Sequence, residues 1–547
     1  KVAKGELMEK TQPYYKTTQQ YSLNYKNTFN DLHDVEALAL WEWKETNTNW
    51  FMARRYYSTT SAIPELDRGD VDNMYNEGNS AVYKYGGLVG RLNYVYAGKY
   101  MAEFSFRYDG SYKTAPDKRW GFFPAVSAGW RISEEQFMKD LVPQMDNLKL
   151  RASWGSIGND SQLNASQFVS GWQFEDRFIL GGAGNSSASI TNGMKEANLA
   201  NPNITWYKVM TTNVGLDGSF WGGKLSFEFD YFYRKTTGYP ATRNTSLPTT
   251  SGIPLPQENL NSSDNRGFEL SLGTVQRIGN VNLQIKGNVA YAREKDLYKE
   301  QALPLNQYKN WRDNGAYRWK NVTWGYEHIG QFQSYDEIYN SPIQDGKGNS
   351  SLRPGDIKYK DLNGDGLIDA NDEKVIGKGT FPDLNFGLTL AADWKGFDVN
   401  ILFQGASNYT QVLNALTSPF RGPGEGNGFR VWMDSWHKAD YNDPDSEWVP
   451  GKFPSLRIEG NDNNSKKSTY WTTDAYYVRL KSIEIGYTIP KNLLSKVGIE
   501  HLRVYANAYN PLTITNVKYT DPEAIEGWQS FYYPQLKVYS FGVNVSF

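Results

Sequence analysis

From Leu225 to Arg234 the chain alternates, with Phe232 as the one apolar residue on the polar parity. Leu225, Phe227, Phe229, Tyr231 and Tyr233 share one parity, while Ser226, Glu228, Asp230 and Arg234 share the other. A period of two sustained over this length specifies a β-strand with one apolar and one polar face. The pattern recurs along the chain. Ala102, Phe104, Phe106 and Tyr108 alternate with Glu103, Ser105, Arg107 and Asp109. Leu148, Leu150, Ala152 and Trp154 alternate with Lys149, Arg151 and Ser153, and Val281, Leu283, Ile285, Val289 and Tyr291 with Asn282, Gln284, Lys286 and Asn288. After Phe397, Val399, Ile401 and Phe403 oppose Asp398, Asn400 and Gln404.

Two architectures accept such strands. A soluble sandwich turns the apolar parity inward, whereas a membrane barrel turns it outward to lipid and keeps a wet interior. Segregation of charge favours the barrel, since an Arg or Lys facing lipid near the midplane costs roughly 2–4 kcal/mol. Composition agrees: 15% aromatic residues coexist with a mean hydropathy of -0.64. No apolar run reaches the length of about 18 residues that a membrane helix needs. With 58 basic and 60 acidic residues there is no basic excess to displace counterions from phosphate, which argues against nucleic acid as a partner. Cysteine is absent, so thiolate chemistry and disulfide frameworks are excluded.

Connection lengths separate the two further. Short turns fall near Asn30–Leu32, Ala97–Lys99, Trp221–Gly223, Arg277–Asn280 and Lys395–Gly396, with somewhat longer ones at Gln136–Met145 and Pro490–Glu500. Between them lie long polar stretches at Thr46–Ser80, Gly155–Trp206, Lys235–Ser263, Glu294–Thr380 and Gly405–Thr473. Strict alternation of short and long is the habit of outer-membrane barrels, with periplasmic turns and extracellular loops. The count is about fifteen strands, beginning near Tyr21–Phe29 and ending with Tyr533–Phe547. Bacterial single-chain barrels close on even numbers, and those of about 22 strands carry a plugged lumen. The expectation is therefore an all-β, antiparallel transmembrane barrel wall of which residues 1–547 form roughly the C-terminal two-thirds. A plug and about seven strands would precede Lys1, which opens onto a polar segment with no signal peptide in sight.

The chain ends Tyr539-Ser-Phe541-Gly-Val543-Asn-Val545-Ser-Phe547, the form of a closing strand recognised by outer-membrane assembly. The blocks Tyr108-Asp-Gly-Ser, Arg119-Trp-Gly-Phe-Phe-Pro and Ser127-Ala-Gly-Trp-Arg131 stand in order ahead of Leu150-Arg-Ala-Ser-Trp-Gly-Ser-Ile-Gly-Asn159. Ala475 to Pro490, Leu502 to Asn510 and Thr520-Asp-Pro-Glu523 follow. In these blocks, from about residue 80 to the end, the chain resembles the SusC/RagA-type TonB-dependent transporters of Bacteroidetes. That resemblance implies active import of an oligomeric nutrient, glycan or peptide, through the outer membrane. It further implies a SusD-like surface lipoprotein as a lid, surrounding outer-membrane lipid, and a dimer of the transporter–lipoprotein pair. Coupling to TonB would run through an N-terminal extension, TonB box and plug that have no counterpart here.

One local motif carries chemistry of its own: Asp361-Leu-Asn363-Gly-Asp365-Gly366-Leu367-Ile-Asp369-Ala-Asn-Asp372. Calcium takes six to eight oxygens, and this spacing offers them from Asp361, Asn363, Asp365, the Leu367 carbonyl, Asp369 and Asp372, with Gly366 at the sharp turn. Asp at the last position reaches less far than the usual Glu. The expected role is structural, pinning the long loop between Glu294 and Thr380; the alternative is an Asx/Gly turn that holds no ion. No nucleophile–base constellation is visible: His33, His328, His437 and His501 are scattered, so an enzyme is not expected. Trp432, Trp436 and Trp448 read as loop core or partner contacts in preference to a sugar platform. The rival to a transporter is a soluble, calcium-stabilised extracellular β-protein, an adhesin or carbohydrate-binding module.

Overall fold

The computed structural model describes residues 5–57, 65–165, 167–180, 189–243, 255–302, 304, 306–413, 416–417, 429–457, 462–494, 498–524, 533 and 535–547. One sixteen-stranded antiparallel sheet dominates it. Gly5–Thr11 and Tyr14–Phe29 both pair with successive parts of His33–Tyr57, so the sheet is fifteen strands wide. The order then follows the sequence: Tyr75–Tyr96, Tyr100–Ser111, Trp120–Arg131, Met145–Asn159, Tyr207–Phe220, Leu225–Thr242, Gln257–Ile278 and Val281–Tyr298. Leu384–Trp394, Phe397–Val412, Thr472–Thr488, His501–Thr515 and Val538–Ser546 complete it. The count and the neighbour-to-neighbour topology agree with the sequence reading. Among the described residues the two edges do not meet. Tyr14–Phe29 is bonded on one side only and is exposed at all sixteen positions.

The exposed parity is the apolar one, and that excludes a sandwich. Phe104 is 43% exposed, its cross-strand neighbours Leu92 and Val126 48% and 45%. A soluble sheet would bury these side chains; here they form an outward band. Aromatic rings bound it. Tyr96, Tyr100 and Trp130 stack in series at 6.3 and 6.5 Å beside the short turns, and Tyr108 stacks on Trp120 at 5.1 Å at the other end. Eight residues from Tyr100 to Tyr108 span about 27 Å of strand, or about 20 Å of depth at a tilt near 40°, close to the height of an outer-membrane apolar band.

The turns at that end are tight because their residues accept positive φ. Ala97 and Gly98 lie at 51° and 66°, and Lys395 and Gly396 at 48° and 91°, the type I′ pair whose twist matches a hairpin. At the opposite end the strands run well past the lipid. His33–Tyr57 and Tyr75–Tyr96 occupy most of the stretch Thr46–Ser80, which the sequence reading made a loop. Leu225–Thr242 and Gln257–Ile278 do the same to Lys235–Ser263. Above the membrane both faces of a strand are wet, so alternation lapses while the hydrogen-bond ladder continues.

The packed core sits in the loops. Tyr326, Ile357, Tyr359, Ile368, Trp432, Phe453 and Trp471 are buried together. They join the segment after Tyr298 to the one after Val412, making a cap over the long-loop end of the wall.

Candidate functional site

The inner face of the wall is polar, and two of its arginines are matched by carboxylates in place. Arg151 donates to both oxygens of Asp217 at 2.7 Å and to those of Asp230 at 3.1 and 2.9 Å, from three adjacent strands. Lower down, Arg503 bridges Asp398 and Glu484. Glycine makes the room: a Cβ at Gly215 would stand 2.7 Å from the Arg151 guanidinium, and one at Gly486 would meet that of Arg503. Each guanidinium thus passes close over a glycine of the neighbouring strand, where a side chain would displace it.

Near the loop end four inward residues fall in one row across the ladder: Val209, Thr236, Ser263 and Asp296. They floor a pocket of about 550 Å3 that Tyr207, Arg234, Tyr239, Glu294, Tyr298, Lys299 and Lys320 enclose. Tyr207 and Tyr239 meet edge to face at 5.3 Å. The segment around Lys320 extends the wall: the Asp296 amide donates to the Arg318 carbonyl and the Lys320 amide to that of Glu294. Lys320 Nζ reaches Glu294 at 2.7 Å and Asp296 at 3.2 Å. Burial opposes its charge, and the two carboxylates more than offset this, so its pKa lies above the ordinary lysine value. Sequence reading missed this pocket. Arg234 and Glu294 are ordinary polar-parity residues, and only strand register brings them to one rim.

The cap is tied by buried polar groups. Asp356, fully buried, accepts from Asn464 Nδ2 at 2.8 Å and the Arg353 amide at 2.9 Å, and pairs with Arg457. Burial pushes its carboxyl up against the pull of Arg457, and the same burial pushes the guanidinium down. Asp521 and Glu523, in one of the family-like blocks, clasp Arg479, which is 3% exposed; its amino groups reach Asp521 at 3.0 Å. Trp432 and Trp436 are buried at 5% and 4%, the loop-core role expected of them. The histidines stand apart: His33 contacts the Tyr94 hydroxyl, His328 the Thr469 hydroxyl and His437 the Ser435 carbonyl.

The loop Asp361–Asp372 lies in the cap. Ile368 is buried in the core, and its amide and carbonyl neighbours form a bridge with Ile343 (Ile368 N–H to Ile343 O 2.8 Å, Ile343 N–H to Gly366 O 2.9 Å). Gly366 takes φ +78°, the left-handed turn the spacing requires. Asp361 accepts from the amides of Gly364 and Gly366, Asn363 from Asp365, Asp365 from Leu367, and Asp369 from Asn371. Asp372, fully buried, accepts from Leu362 and Asp369. The donors are of the kind calcium takes, and each carboxylate oxygen retains a lone pair. Their present aim is toward backbone amides; among the described residues no three His, Asp or Glu side chains gather as a metal cluster.

Comparison with known proteins bears on the whole wall. Residues 4–511 match the family model for TonB dependent receptor-like, beta-barrel proteins. TonB-dependent receptor P3 of Formosa agariphila is 28% identical over 565 residues, covering 98% of this chain and 53% of the relative. TonB-dependent receptor SusC of Bacteroides thetaiotaomicron is 26% identical over 471 residues, 84% of this chain and 43% of the relative. Among solved structures, the RagAB peptide importer in its open-open state superposes with a TM-score of 0.76 at 21% identity, covering 99% of this chain and 56% of that one. The chain spans about half the length of the curated relatives it matches.

Proposed function

Since this chain belongs to the TonB-dependent receptor-like β-barrel family, as a SusC/RagA-type protein of the outer membrane, we propose that it forms the wall through which an oligomeric nutrient, glycan or peptide, is imported at the expense of TonB. The observation that carries this reading is the division of the wall: lipid-facing rings outside, and inside a polar face on which arginines such as Arg151 and Arg503 are held by carboxylates. A solute passing such a face meets hydrogen-bonding groups along its way. Its family is one of receptors and transporters, and no chemical step is assigned to it. Uptake of labelled oligosaccharides and peptides by intact cells tests the proposal. Accumulation that persists when TonB is deleted would contradict it.

Two partners belong to the same proposal. A SusD-like lipoprotein covers the cap as a lid, and co-purification in mild detergent should retain it. The two open edges of the wall are covered by further polypeptide, because an unpaired edge in lipid leaves backbone groups unsatisfied at several kcal/mol each. Residues 1–547 contain no cysteine, so Tyr25→Cys with Val543→Cys introduces the one thiol pair into this wall and reports on its edges. Ready disulfide formation between them would mean that the wall closes on itself, and would refute the covered edges.

Calcium is proposed for the loop of Asp361, Asn363, Asp365, Leu367, Asp369 and Asp372. Its left-handed Gly366 and its spacing support this, and binding would draw the side chains inward from their amide partners. Calorimetry on the intact protein should show a calcium isotherm that Asp365→Ala abolishes. Without heat of binding, the loop is a turn and nothing more.

A further inference from the structure

The pocket above Val209, Thr236, Ser263 and Asp296 is concave, inward-facing and unevenly charged. Arg234, Lys299 and Lys320 face Glu294 and Asp296, leaving one net positive charge on its lining. The distribution matters more than the sum. Both carboxylates are committed to Lys320, whereas Arg234 and Lys299 make no ion pair among the described residues. This sets Arg234 apart from the inward arginines Arg151 and Arg503, each held by two carboxylates. Its register neighbours, Thr211 and Asn265, bear no charge. The Tyr207–Tyr239 pair supplies an amphipathic wall beside it.

A guanidinium is a planar fork of donors that fits a carboxylate with two parallel hydrogen bonds. A neutral solute leaves Arg234 unmatched, and a cation is repelled by the net charge. We propose that this pocket is a subsite for a carboxylate group on the imported oligomer, with Arg234 as its anchor and Lys299 at its mouth. The inference rests on the transport reading and narrows its substrate class. The carboxylate comes either from the end or an acidic side chain of a peptide, or from a uronic acid in a glycan.

The test uses the intact protein from outer membranes in detergent, with four probes: hexa-alanine as free acid, its C-terminal amide, trigalacturonate and maltotriose. Binding of at least one carboxylated probe, stronger than its uncharged counterpart, is expected. Arg234→Gln should weaken that probe about ten- to hundredfold, the weight of a charge-assisted pair. Arg234→Lys, which keeps the charge and loses the fork, should fall between. Lys286→Gln, an inward cation nearer the short turns, should leave affinity unchanged. Preference for the free acid assigns a peptide source, and preference for trigalacturonate a uronic acid. The subsite is overturned if neither carboxylated probe binds, if amide and maltotriose bind as well as the acids, or if Arg234→Gln has no effect. Uptake with and without TonB is read separately: binding that follows Arg234 without TonB-dependent uptake refutes the transport reading and leaves the subsite standing.

Discussion

Placing an arginine at Phe104 puts the assignment of faces to a direct test. Phe104 lies four residues from Tyr100 and four from Tyr108, the residues that mark the two aromatic girdles. At about 3.4 Å per residue and a tilt near 40°, each girdle is about 10 Å away in depth, which sets Phe104 near the middle of the apolar band. It is 43% exposed on the outward face, beside Leu92 and Val126. Arginine there should destabilise the wall by about 2–4 kcal/mol relative to alanine, which removes the ring without adding charge. Ser127 provides the control. It sits one position beyond Val126 on the opposite face, directly across from Glu103. An arginine at Ser127 stays in the wet lumen with an opposite charge as its cross-strand partner, so its effect should lie within about 1 kcal/mol of zero. Urea unfolding of the intact protein in phospholipid vesicles, followed by tryptophan fluorescence, compares Phe104→Arg, Phe104→Ala and Ser127→Arg. Equal losses for the two arginines, or no difference between arginine and alanine at Phe104, would refute this assignment of faces, and a larger loss at Ser127 would reverse it.

Other perturbations read the lumen and the cap. Gly215→Leu should displace Arg151 from Asp217 and Asp230 and cost about 1–3 kcal/mol, and the same vesicle unfolding should show part of that loss recovered when Arg151→Ala is added. Arg479→Ala leaves Asp521 and Glu523 without their cation; hydrogen exchange should rise across Val517–Ala524 while the wall strands stay protected. Asp345 is subject to burial, which raises its pKa, but the Ser351 hydroxyl and the amides of Ser351, Lys347 and Asn349 bring it down to about 2. A carboxyl depressed in this way contributes stability that is full above about pH 4 and lost as pH falls towards 2. Protection of the amides of Lys347, Asn349 and Ser351, relative to the unstructured rate at the same pH, should therefore fall in that window, and Asp345→Asn should lower it already at neutral pH.

Much of the wall was legible because lipid imposes a rule on every second residue. Leu225 to Tyr233 and Ala102 to Tyr108 announce both the strand and its orientation, and the short turns fix which strands are neighbours. The rule ends where the lipid ends. Thr46–Ser80 reads as a loop because Thr46, Asn47 and Asn49 show no segregation, yet the backbone from Thr46 to Arg54 stays in the ladder, paired with Tyr75–Tyr83. Asp361–Asp372 was legible as a turn, since its Asx residues and Gly366 act locally. What lay out of reach were contacts between distant segments. Arg457 with Asp356 and Arg479 with Asp521 and Glu523 each join residues dozens of positions apart, and no periodicity marks a partner at such range. The pocket around Arg234 is of the same kind, because its rim depends on the stagger of four strands.

The asymmetry between the two ends of the wall has a consequence for how such a sequence can change over generations. At the tight end, Ala97–Gly98 and Lys395–Gly396 sit directly on the girdle rings, and inserting one residue would shift a strand by one step and turn its rings from lipid to water. At the far end the ladders outrun the bilayer, so that insertions after Tyr57, Thr242 or Val412 meet strand whose two faces are already wet. Length variation is thus absorbed on the long-loop side and refused on the side that sets the register. Divergence in what is recognised can accumulate in the cap while the membrane-spanning part continues to assemble as before.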